Sequence, residues 1–200
     1  MKRTALIVAV AAAGCGTERS SKPLNGSQYD LPVANSVQNF EGVPAETTPA
    51  RSSVFTPLDE ASCKLIEQNR DEGSYWRRQC PGPAGYSVEW TESDLRQGLE
   101  ILKDGRRTDL QLSGIAAKGA FNHLGPRIEW RGNNGSLLDR MAVRVLVADG
   151  AEPAKPDKSL LAVVTLAPSP CVIAVVQPGQ GQSDEARHIS DGPAQPCLGR

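Results

Sequence analysis

From Tyr86 to Thr91 apolar and polar residues alternate strictly, and the same period of two returns at Met141, Val143, Val145 and Val147 within Asp139 to Ala148. Such alternation puts successive side chains on opposite faces of a strand, so Tyr86, Val88 and Trp90 are expected to face a core together, as are the four residues of the later segment. A short strand is also predicted around Ile128 and Trp130, and another over Leu95 to Leu102, interrupted by Gly98. Leu160 to Leu166 and Cys171 to Gln177 are continuous apolar runs rich in β-branched residues around Ala167-Pro168-Ser169-Pro170. They predict a central hairpin covered on both faces. Turn chemistry punctuates these segments at Pro81 to Gly85, at Lys103-Asp104-Gly105-Arg106 and at Asn133-Asn134-Gly135-Ser136. Residues 109 to 124 give no clear period. One short helix is predicted with Ser183 as its cap, Asp184 and Glu185 near its positive end, and a stop before Gly192-Pro193.

Many short strands with closely spaced turns predict a mainly β fold, an antiparallel β sandwich or partly open barrel with one short C-terminal helix. The N-terminal quarter reads differently. Residues 1 to 14 combine a basic start, Lys2-Arg3, with an apolar run too short to cross a bilayer, which is the character of an export signal. Residues 15 to 58 are rich in Ser, Thr, Asn, Gly and Pro and are expected to be a flexible tether, with Phe40 or Val54-Phe55 as the segments that could dock on something. The folded domain is then expected over residues 59 to 200.

The chain has five cysteines. An odd number in an exported protein calls for a separate role for one of them. Ala12-Ala13-Gly14-Cys15 resembles the bacterial lipobox, with Ala12 where a larger aliphatic residue is usual, and this assigns lipidation to Cys15. An ordinary cleavage site after Ala11-Ala12-Ala13 is the alternative, leaving Cys15 a free thiol on a secreted or periplasmic protein. Gly16 rather than Asp follows the cysteine, which by resemblance to bacterial lipoproteins implies the outer membrane, facing the periplasm. The remaining four cysteines have no Cys-x-x-Cys spacing, so disulfides are expected over a metal or redox site. Cys63 to Asn69 and Tyr75 to Cys80 flank a turn-forming cluster centred on Asp71-Glu72, and that centre sets Cys63 opposite Cys80 in an antiparallel pair. Cys171 with Cys197 is the economical second bridge, although four cysteines permit three connectivities.

Formal charge is -1, and loss of Lys2 and Arg3 with the leader takes it to -3. No basic block exists, so nucleic acid is not expected as a partner. His123 and His188 form no metal-ligand motif, and neither a nucleophile elbow nor a complete phosphate-binding loop is present; Gly179-Gln180-Gly181 is only a fragment of one. No catalytic residue, metal or cofactor is therefore assigned. Glu89, Glu92 and Asp94 offer a carboxylate set of the kind a glycosidase needs, but their separation is a spatial matter. Trp76, Trp90 and Trp130 are expected in the core rather than on a sugar-stacking platform. Arg77-Arg78 and Arg106-Arg107 are short basic pairs that could face an acidic partner.

Cys63-Lys64-Leu65-Ile66-Glu67, Trp76-Arg77-Arg78-Gln79-Cys80-Pro81-Gly82-Pro83-Ala84-Gly85-Tyr86, Asp94-Leu95-Arg96 and Leu124-Gly125-Pro126-Arg127-Ile128-Glu129-Trp130-Arg131 resemble a group of uncharacterised exported proteobacterial proteins. The resemblance covers most of residues 59 to 200 and implies a disulfide-bearing exported domain without an activity. A fainter similarity, through anchor, disulfides and β structure, is to the small lysozyme inhibitors of bacterial envelopes. Together these readings lead to the expectation of a non-enzymatic, lipid-anchored envelope protein, bound to the membrane through Cys15, that binds or supports an envelope protein or cell-wall component. A cell-wall or glycan hydrolase and a lysozyme-inhibitor-like protein are the alternatives.

Overall fold

The computed structural model of this chain describes residues 51–71, 74–133, 137–152 and 154–199. Cys15, the leader and most of the expected tether lie outside the described residues, as do Glu72 and the turn positions Asn134, Gly135 and Ser136. Ten strands make one sheet: β1 (Arg51–Pro57), β2 (Lys64–Asn69), β3 (Tyr75–Pro81), β4 (Ser87–Ser93), β5 (Arg96–Lys103), β6 (Arg106–Asp109), β7 (Asn122–Asn133), β8 (Leu137–Val147), β9 (Lys158–Thr165) and β10 (Cys171–Val176). Two helices accompany them, α1 (Leu112–Ile115) and α2 (Gln182–Asp191). The strand path runs β10-β9-β8-β7-β5-β4-β3-β2, with β1 added to β7 and β6 to β5, and its two ends do not meet. The mainly β expectation thus holds, as an unclosed sheet. The sheet is mixed rather than wholly antiparallel, because β5 meets β7 in parallel at Arg96 and Asn122.

The alternating segments face as their patterns predict. Val88, Ile128, Trp130, Met141, Val143 and Val145 are fully buried, and Trp90 nearly so. Full burial of one such aliphatic side chain stabilises the fold by roughly 1.5–3 kcal/mol. The continuous apolar run of β9 serves two cores: Leu160, Ala162 and Val164 join the main one, while Leu161 and Val163 join Ile173, Val176 and Ala186 beneath α2. That division is why β9 shows no alternation.

Both expected disulfides are present. Cys63 and Cys80 have Cα atoms 4.3 Å apart, and Cys171 and Cys197 are 5.7 Å apart. The hairpin carrying the first is less regular than a single centre predicts. Lys64 and Leu65 face Gln79 and Arg78, in the register that puts the cysteines opposite each other, but a bulge at Ile66 shifts Glu67 onto Arg77. Cys197 is held beside its partner by the amide of Leu198, which donates to the Val172 carbonyl at 2.8 Å.

Three local expectations are corrected. The tether does not run to residue 58, because Arg51–Pro57 is strand β1, paired with β7 from Arg51 opposite Asn133 to Pro57 opposite Arg127. Its polar side chains fit that place: Thr56 accepts from the Trp130 indole at 2.8 Å, and Ser53 donates to Glu129 at 2.6 Å. Ser183 is not the cap of α2, which begins at Gln182 after Gly181 in the left-handed region and has no side-chain cap. Gln182 turns inward to donate to the carbonyls of Ser159 and Val176. The unreadable stretch 109–124 holds α1 and the start of β7, so α2 is not the only helix.

Candidate functional site

A cleft of about 240 Å³ lies between α2 and the face of β1, β7, β8 and β9 that points away from the main core. Its floor follows a row across the sheet in which Phe55 faces Glu129 and Glu129 faces Ala142. The small side chains Ala142, Ala186 and Ser190 line it together with the ring of Phe55. Alternation along β7 sends Ile128 and Trp130 into the core and Arg127, Glu129 and Arg131 outward. Arg144 on β8 and Arg187 on α2 bring the guanidinium groups lining the cleft to four, against the single carboxylate Glu129.

Two of the four are neutralised. Arg187 Nε donates to Glu129 Oε1 at 2.8 Å. Burial pushes the Glu129 carboxyl upward, but the hydrogen bonds from Arg187 and Ser53 outweigh it and hold the group below its ordinary value. Arg131 donates through Nε and Nη2 to Asp191 at 2.5 and 2.6 Å, and these bonds hold the Asp191 carboxyl low as well. Arg51 adds a further bond to Asp191 at 2.8 Å and pairs with Asp139 on its other side.

The other two are not neutralised. Arg144 donates to the hydroxyl of Ser159 and to Gln182 Oε1, both uncharged acceptors. Arg127 lies over the ring of Phe55 with its guanidinium carbon 5.0 Å from the centroid. Among the described residues neither has a carboxylate within ion-pair distance. Arg144 reaches its position across Gly125, where a Cβ atom would stand 2.8 Å from Arg144 Cβ. Gly125, Pro126 and Arg127 form the irregular stretch between the paired residues Leu124 and Ile128, opposite Arg144. Guanidinium forks left with neutral partners at an open cleft suit a carboxylate or phosphate oxygen.

The groups singled out from sequence lie elsewhere. Glu89 is buried on the outer face between Arg107, at 2.8 Å, and Arg77, at 3.4 Å. Glu92 accepts from Gln97, and Asp94 pairs with Arg96 at the hairpin tip, so the three carboxylates do not converge. The carboxylate beside Glu89 is Glu100, directly across the ladder, and burial raises its pKa. The pair Arg77-Arg78 is split, Arg77 reaching Glu67 and Glu89 and Arg78 reaching Glu60, and of Arg106-Arg107 it is Arg107 that reaches Glu89 and Glu100. His123 is half exposed beside Asp157 at 3.4 Å. His188 lies on the exposed side of α2, where Asp184 faces Arg187 rather than the histidine. Trp90 and Trp130 are buried, and Trp76 packs edge-on against Trp90 at 4.7 Å. Among the described residues no group of three or more His, Cys, Asp or Glu could hold a metal ion, and no helix is long and apolar enough to cross a membrane.

The cleft is not legible in the sequence because its arginines are never adjacent. Arg127 and Arg131 are spaced by four on a strand, and Arg144 and Arg187 arrive from other elements. The available signal was the outward register of β7, where Arg127, Glu129 and Arg131 alternate with core residues. Compared with family models, curated proteins and solved structures, the chain matches none.

Proposed function

We propose that this chain is an exported protein of the bacterial envelope, anchored by a lipid on Cys15, whose β domain is a non-enzymatic binding module. Its ligand is an anion, taken in the cleft beside α2. The observation that supports this reading is the pair Arg127 and Arg144, two guanidiniums left with neutral partners in one cleft while the arginines beside them are paired with Glu129 and Asp191. The dispersal of Glu89, Glu92 and Asp94 favours binding over hydrolysis, as does the burial of Trp90 and Trp130.

The test is the thermal unfolding of the oxidised protein in a panel of carboxylate, sulfate and phosphate salts at constant ionic strength. A ligand that binds the native state raises the midpoint in a saturable way. The reading requires such a rise for at least one anion and its loss in Arg127→Gln. Equal shifts from all salts, or the same shift in the variant, would show only general screening. The anchor is tested separately by the intact mass of membrane-extracted protein, which should exceed that of the polypeptide beginning at Cys15.

A further inference from the structure

We propose that the bridge between Cys171 and Cys197 is a redox latch on α2: a dithiol reductant opens it by attack at Cys197 and so loosens the helix that walls the cleft, while the bridge between Cys63 and Cys80 stays closed. The latch acts on that wall whether or not an anion binds beside it.

The two bridges differ in access. Cys63 and Cys80 are 5% and 1% exposed and belong to the main core. Cys171 is 6% exposed, but Cys197 is half-buried, and its neighbours from Pro193 to Pro196 and at Leu198 and Gly199 are exposed. Thiol–disulfide exchange requires the attacking sulfur to reach one sulfur of the bond, so the more open member of a bridge is where attack begins. Residues 193–199 form neither helix nor strand. Among the described residues their backbone has a single hydrogen bond, from the Leu198 amide to the Val172 carbonyl at 2.8 Å. Local opening of so lightly held a segment costs little, whereas exposing Cys63 and Cys80 means opening the main core.

The bridge also shares its surroundings with the cleft. Cys171 and Cys197 pack in the smaller core under α2 with Leu161, Ala186 and Ile189, and Leu161 and Ala186 line the cleft as well. The polar side of α2 is tied to the sheet through Gln182, Arg187 and Asp191. Those bonds outlast reduction. What reduction removes is the covalent hold on the apolar underside, so the helix loosens without being released.

The exchange balances. One thiolate of the reductant attacks Cys197 Sγ, the S–S bond breaks, and its electron pair leaves on Cys171 Sγ, which takes up a proton. The second thiolate attacks the mixed disulfide, releasing Cys197 as a thiol once protonated and leaving the reductant as its own disulfide. Two electrons pass from the dithiol to the bridge.

The test uses the full oxidised chain without substitutions, so no variant has to fold. Dithiothreitol is added under native conditions, samples are quenched with iodoacetamide at intervals, and peptide masses report the alkylation of each cysteine. Cys171 and Cys197 should be labelled at least about tenfold faster than Cys63 and Cys80. With the monothiol glutathione as the probe, the mixed disulfide should form on Cys197 rather than on Cys171. In protein reduced at this bridge alone, hydrogen exchange should quicken by about tenfold or more at Leu198 and Ile189 and stay unchanged at Trp90 and Val143. Equal reduction of the two bridges, earlier reduction of Cys63 and Cys80, a glutathione adduct on Cys171, or unchanged exchange at Ile189 would each overturn the latch. A failure of anion binding would move none of these readouts.

Discussion

Arg131 on β7 grips Asp191, the last residue of α2, with Nε and Nη2 at 2.5 and 2.6 Å. A carboxylate at a helix C-terminus faces the negative end of the dipole, so its position there depends on the arginines that hold it. Asp191→Asn is expected to cost about 1 kcal/mol, a modest figure because the side chain is about one-third exposed. Hydrogen exchange should quicken at residues 188–191 more than at 182–186; uniform quickening along α2 would contradict this assignment.

Acid should weaken the same connection. Glu129 and Asp191 both sit below their ordinary values of 4.5 and 3.8. The stability they contribute is present above those values and is lost as pH falls through the lower folded ones. Glu100 works in the opposite sense: its raised pKa contributes stability below 4.5 that is lost as pH rises through the folded value. Urea unfolding between pH 3 and 7 should show stability falling below about pH 4.5. Glu129→Gln should flatten that fall, and Glu100→Gln should leave it in place.

Gln97 is the polar centre of the main core. Its side-chain oxygen accepts from the Trp90 indole at 3.1 Å and from the Leu124 amide at 2.8 Å, and its amide donates to Glu92 at 2.8 Å. Gln97→Leu strands two buried donors, each costing about 1–3 kcal/mol. The variant should lose at least 2 kcal/mol by equilibrium unfolding and shift the emission of Trp90. A loss below about 0.5 kcal/mol would mean that the network relaxes around the change.

The contrast between Gln97 and the strands around it shows where sequence reading stops. Alternation alone places Val88, Trp90 and Val143 in the core, because a half-buried strand imposes that period. Cys63 and Cys80 were paired by the symmetry of a hairpin, which survived the bulge at Ile66 because the shift falls between the bulge and the turn. Strand β1 was missed because Ser53 and Thr56 serve hydrogen bonds to Glu129 and Trp130, partners more than seventy residues away. The guanidinium cleft was illegible for the same reason. Arg127 and Arg144 become a pair only through the register of β7 and β8, and Arg187 joins them only once α2 packs on the sheet.

The disulfides should act independently. Each closes a loop of 17 or 26 residues, for which chain entropy gives about 3 kcal/mol. The double change Cys63→Ser, Cys80→Ser should lower stability by that amount while leaving anion binding unchanged at temperatures where the fold persists. Cys171→Ser with Cys197→Ser should also loosen the β10 side of the core under α2 and weaken binding. Equal effects of the two double variants on binding would contradict the separation of the two cores.

Binding of an anion by Arg127 and Arg144 is read most directly by side-chain NMR, at the atoms concerned. In ¹⁵N-labelled protein, the Arg Nε–H resonances would be followed as glycerol phosphate is added at fixed ionic strength. Anion binding in the cleft should give saturable shifts at Arg127 and Arg144 with one common dissociation constant, smaller shifts at Arg131 and Arg187, and none at Arg106. Shifts that grow linearly at every exposed arginine, or that leave Arg127 and Arg144 unmoved, would contradict it.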